Sequence, residues 1–176
     1  MKSVTDIMNL MKDIKYGYCW VDKTGKRHYQ MDNSFSYDYI LQNPDEVLTS
    51  RVGICWDQVE LERYYFEKLN IKTITYFICH YDNDRCPSHT FLTYKENDKF
   101  YWFEHSWEIY RGIHEFDSMK DLLKEVREKF IITELSNNYS ESNLLLREYS
   151  KPEYGISIEE FYKHCEIDTI INIDML

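Results

Sequence analysis

Residues 55–103 carry the pattern that most restricts how this chain can fold: one helical period, then three β-rich runs. From Cys55 to Leu69, Val59, Phe66 and Leu69 fall on one stripe, with Leu61 and Tyr65 beside it. Asn70 follows as a left-handed stop. Ile71–Cys79 is dense in β-branched and aromatic residues and reads as a strand. His89–Tyr94 and Phe100–Phe103 flank the polar run Lys95-Glu96-Asn97-Asp98-Lys99 and read as a hairpin. A buried helix followed by strands on short connections predicts an α+β fold, the helix lying on an antiparallel sheet.

The flanks read as support. Apolar positions from Val4 to Ile14 have helical spacing behind Ser3 or Thr5. Asp22-Lys23-Thr24-Gly25 predicts a turn between two short extended pieces. Asn43 before Pro44 starts a short helix that delivers the chain to Gly53. Beyond the hairpin, Phe116–Phe130 is helical, 134–143 is polar loop, and Ser157 with Glu160 forms a capping box for another helix. With 176 residues, five glycines and three prolines, the expectation is a single domain over 1–176. Its motif region is 47–107, and 116–176 forms a helical C-terminal segment.

Composition narrows the function classes. A net charge of −10 without a basic run argues against a phosphate track, so no nucleic-acid partner is expected. No apolar run approaches the roughly 20 residues of a membrane span, and the start lacks an apolar signal core. The expected compartment is the cytoplasm, with no membrane partner. Five cysteines at irregular spacing do not make a disulfide framework there.

The motif region holds a thiol, an imidazole and a carboxylate in order. Cys55 sits at the helix start, where free amides favour a thiolate, and Gly53 allows a tight approach that exposes the sulfur. His89 opens one hairpin strand and Glu104 closes the other. With the loop centred between Glu96 and Asn97, His89 lies opposite Glu104 and Phe91 opposite Trp102, on one side of the sheet. Cys55 is then the nucleophile, His89 its base and proton donor, and Glu104 the group that orients and charges His89.

Gly53-Ile54-Cys55-Trp56-Asp57, the helix to Leu69, His89 and Trp102-Phe103-Glu104 resemble the transglutaminase-like superfamily over about Val47–Trp107. The resemblance implies a permuted papain-like fold and acyl transfer through a thioester at Cys55. It implies no cofactor and no metal, and a peptide or protein amide as substrate. Water as acceptor gives a cysteine-peptidase-like hydrolase, while attack on protein glutamine gives a transglutaminase or deamidase. Three features depart from the family: Glu104 stands where it generally has Asp, Asn70 ends the helix where it often has Gly, and His105 stands where a proline is common. Trp20, Gln30 and Tyr18 are candidates for a side-chain oxyanion donor.

Two other readings compete. Cys79, His80, Cys86 and His89 fall within eleven positions and could bind zinc, although adjacent Cys79 and His80 point to opposite faces of a strand. A non-catalytic peptide-binding module on the same fold is the other. His105, His114 and His164 read as scattered hydrogen-bonding residues.

Overall fold

The computed structural model describes residues 2–15, 19–81, 86–135 and 139–176. Short elements come first: α1 (Val4–Met11), the two-residue strands β1 (Trp20–Val21) and β2 (Arg27–His28), α2 (Phe35–Asp38) and α3 (Pro44–Ser50). They are built by local chemistry. Ser3 and Asp6 form a capping box on α1, as Asn43 and Glu46 do on α3. The Asp22 carboxylate accepts from Thr24 and Lys26 backbone amides, and Gly25 takes φ 84°, closing the β1–β2 turn.

The central helix α4 (Cys55–Lys68) ends through Asn70 in the left-handed region, φ 57°. Strands β3 (Thr73–His80), β4 (Ser88–Glu96), β5 (Lys99–Glu104) and β6 (Gly112–Phe116) follow, then α5 (Met119–Glu134), β7 (Leu144–Tyr149) and α6 (Ile158–Ile167). The main sheet is antiparallel throughout its pairings, in the order β6-β5-β4-β3-β7. The α+β expectation holds.

The sheet separates two apolar cores. On one face Phe77, Leu92, Tyr94 and Phe103 pack with Ile7 and Met11 of α1, Val59 and Phe66 of α4, and Phe161 of α6. On the other, Tyr76, Ile78, Phe91 and Trp102 pack with Leu122, Leu123, Val126 and Phe130 of α5. These sets alternate along each strand, as a pleated sheet covered on both sides requires.

Two expectations need correction. The C-terminal segment is not helical throughout: β7 occupies the β3 edge, with Thr75 opposite Tyr149 and Ile78 opposite Leu146. β6 likewise extends the other edge. Ile170 only bridges to Arg147, and 173–175 form a single 3-10 turn. The hairpin register also differs. Asn97 and Asp98 both adopt positive φ (50° and 61°), making a two-residue turn that sets Glu96 opposite Lys99 and Thr93 opposite Trp102. Because the displacement is two residues, every side chain keeps its face.

Candidate active site

Gly53 delivers the chain to α4 for a steric reason. A Cβ there would lie 2.8 Å from the Asp57 Cβ, so the turn closes only without a side chain. Asp57 in turn ties three segments together. Its carboxylate accepts from the Ile54 amide (2.9 Å), the Gln42 amide (2.9 Å) and the Tyr39 hydroxyl (3.0 Å). Burial raises its proton affinity, which those donors oppose, leaving its pKa at about 7.

Cys55 is the first residue of α4. The residue before it, Ile54, has no side-chain acceptor, so nothing at the cap position competes for the first amides of the helix. Among the described residues the Cys55 amide has no acceptor, which leaves it free to meet an anion. The sulfur is not exposed as the glycine turn led us to expect: Cys55 is 5% accessible, beneath packed core.

His89 and Glu104 meet. Thr93 opposite Trp102 places them diagonally rather than directly across the hairpin, on one face, and His89 Nε2 lies 2.8 Å from Glu104 Oε2. The longer arm of glutamate suits this diagonal reach. Its other oxygen accepts from the Trp107 amide (2.7 Å) and the Ser106 hydroxyl (3.0 Å), so both oxygens are engaged. The His89 ring packs on Trp107, with centroids 4.7 Å apart, and parallel to Phe91.

The electrostatics follow from this enclosure. Burial by itself would strip the proton from His89. The charge of Glu104, and hydrogen bonds to Cys55 and Glu104, outweigh burial and raise the imidazole to about 10. Burial would likewise protonate Glu104, but the His89 charge and the donors around it hold the carboxyl below its ordinary value. With Nε2 facing Glu104, Nδ1 is the ring nitrogen left for the thiol.

Glu62 adds a feature that the sequence pattern did not reveal. It stands seven positions after Cys55, on the same side of α4, and is 2% accessible. Burial, then the charge of Glu104, pushes its carboxyl well above the ordinary range.

The oxyanion candidates fare differently. The Trp20 indole N–H donates to the Gln30 carbonyl (3.1 Å), so its single donor is engaged, and Gln30 itself is exposed. Tyr18 lies outside the described residues. Of the zinc candidates, His80 Nε2 contacts the Ser140 carbonyl (3.2 Å) and His89 is committed to Glu104. Among the described residues no group of three or more His, Cys, Asp or Glu could hold a metal ion. A cavity of about 810 Å³ opens elsewhere, between the Asp22–Gly25 turn, the start of α3, Tyr64 and Tyr154; Cys55, His89 and Glu104 do not line it. Among the described residues no helix is long and apolar enough to cross a membrane.

No curated protein matches the chain. A family model described as a transglutaminase-like domain matches residues 1–133, from α1 through most of α5, and so includes Cys55, His89 and Glu104. Covering three quarters of the chain, with the sheet and central helix described above inside it, that match makes the protein a member of the transglutaminase-like family.

Proposed function

We propose that the protein is a thiol-dependent acyl-transfer enzyme that hydrolyses amide or peptide bonds through a thioester at Cys55. The observation that carries this reading is the buried His89–Glu104 pair, together with a buried cysteine at the first position of α4. An imidazolium beside the sulfur favours the thiolate, and the amides at the start of α4 favour it further.

In the acylation step the sulfur attacks the carbonyl carbon. A carbon–sulfur bond forms, the carbon–nitrogen bond breaks, and the His89 proton passes to the departing amine. The Cys55 amide faces the oxygen on which charge develops. His89, now neutral, takes a proton from water as the water attacks the thioester, which releases the acid and restores the thiol. Glu104 holds the ring and stabilises its charged form in both halves. The substrate in this reading is a peptide or protein amide, and five free thiols suit a reducing, cytoplasmic setting.

The test is to trap the acyl-enzyme. Parent and Cys55→Ala protein are incubated with peptide amides and with a glutamine-containing protein, then read by intact and peptide mass spectrometry. An adduct on Cys55 that decays in water supports hydrolysis, and one that transfers to an added amine supports a transglutaminase. No adduct on Cys55 with either substrate, alongside tight peptide binding, would replace the enzyme reading with a binding module.

A further inference from the structure

A second imidazole, His105, directly follows Glu104, and the chemistry above makes no use of it. It is 2% accessible. Its Nδ1 lies 2.7 Å from Gln58 Oε1, while the Gln58 amide nitrogen lies 2.9 Å from the Gly53 carbonyl oxygen. Arg111 Nε donates to the His105 carbonyl (2.6 Å), fixing the backbone from outside.

The protonation of this series follows from what each atom can do. A carbonyl only accepts, so Gln58 must turn its NH2 to Gly53 and its oxygen to His105. His105 must then carry its proton on Nδ1. Its Nε2 is left as a bare, buried lone pair without a donor among the described residues. Burial, then the charge of Arg111, lowers His105 to about 4, so the ring is neutral across the physiological range. The two imidazoles are therefore set oppositely: His89 is charged, and His105 is not.

The positions joined are also telling. Gly53 lies two residues before the nucleophile, Gln58 one turn after it on α4, and His105 directly after Glu104. The series spans from the turn that presents the sulfur to the strand end that presents the carboxylate. Neither end is otherwise tied to the other by a side-chain hydrogen bond among the described residues.

We propose that Gln58 and His105 are positioning residues, a neutral bridge that holds the turn before Cys55 against the end of β5 and so sets the thiol within reach of His89. This rests on the thiol reading above. A charged residue at 105 would draw Glu104 away from His89, whereas a neutral Nδ1–H donor binds Gln58 without competing.

The test compares two similar polar replacements. Asparagine places an amide N–H where histidine has Nδ1–H, and glutamine carries its amide one atom further out. The pH dependence of iodoacetamide alkylation at Cys55 is read by peptide mass spectrometry in the parent, His89→Ala, His105→Asn, His105→Gln and Gln58→Leu. A long-range nitrogen–proton NMR spectrum of the parent reads the His105 tautomer. The expected result is a bare Nε2 on His105, a parent-like profile in His105→Asn, and a rise of about one pH unit in His105→Gln and Gln58→Leu. One unit is about tenfold slower alkylation at any pH well below the midpoint of the profile. A His105→Gln profile equal to the parent's would overturn the bridge while leaving a His89-dependent thiol standing. Equal loss in His105→Asn and His105→Gln would also overturn it, because packing rather than the Nδ1–H bond would be responsible. A parent thiol indifferent to His89 would remove the thiol reading and the bridge together.

Discussion

Replacing Glu104 by glutamine removes one charge and almost no volume, which isolates the electrostatic part of the site. The amide cannot satisfy both sides of the carboxylate. If its nitrogen faces Ser106 and Trp107, it opposes the Trp107 N–H, and if it faces His89, it opposes the ring N–H for as long as the ring stays charged. Without the Glu104 charge the largest influence opposing burial at His89 is gone, so the imidazole's proton affinity falls from its parent value of about 10. Because His89 can release its proton instead of staying charged and unpaired, the expected loss of stability at pH 6 is about 2–4 kcal/mol.

The pH dependence has a fixed sign. His89 is raised in the folded state, so its contribution is complete below about 6.5 and fades as pH climbs through about 10. Glu104 is lowered, so its contribution is present above about 4.5 and fades on acidification. The difference between parent and Glu104→Gln in urea unfolding should therefore peak near pH 5–6.5 and shrink toward pH 10. An NMR titration of the His89 ring reads its proton directly. A ring that keeps its proton to pH 9 in Glu104→Gln, or a stability loss equal at pH 6 and 10, would refute the coupling.

Other perturbations address the scaffold. Gly53→Ala forces a Cβ to 2.8 Å from the Asp57 Cβ, and should cost about 1–3 kcal/mol in urea unfolding; parent-like stability would show that the turn yields freely. Asp98→Gly relieves a side chain held at φ 61° in a two-residue turn and should stabilise by about 0.5 kcal/mol, read as a raised melting temperature. Phe161→Ala removes a ring stacked 4.2 Å from Trp56, beside the nucleophile, and should cost about 3–5 kcal/mol. A loss under 1 kcal/mol would mean that the chain beyond 133 contributes little to the core around Cys55.

Much of the fold was legible because it is written in local chemistry. The caps at Ser3, Asn43 and Ser157 and the stop at Asn70 depend on neighbours a few residues away. The hairpin register was misread because its centre depends on whether Asn97 and Asp98 accept positive φ, which composition alone does not decide. The meeting of His89 and Glu104 survived that error because a two-residue shift preserves the face, and a one-residue shift would have separated them. β7 was missed for a tertiary reason: Leu144-Leu145-Leu146 suits a helix equally well, and the free edge of β3 is what draws it into the sheet.

The least legible part was the polar side of α4. Asp57, Gln58, Glu60, Glu62 and Arg63 carry no apolar signal that marks a core position, yet all are buried. Arg63 joins Glu60 (3.1 Å) to Thr75 (2.6 Å), and Thr75 donates to the Tyr149 carbonyl (2.7 Å), so what engages Arg63 lies partly on strands distant in sequence. His105 looked ordinary for the same reason, since its partner, Gln58, lies 47 residues earlier.

The central claim is that His89 and the start of α4 make Cys55 the reactive nucleophile of this chain. The most direct measurement is the rate of iodoacetamide alkylation at each of the five cysteines at neutral pH, in the parent and in His89→Ala. The account predicts that Cys55 is alkylated far faster than the other four in the parent and loses that advantage when His89 is removed. A Cys55 no more reactive than the others, or one indifferent to His89, would contradict it.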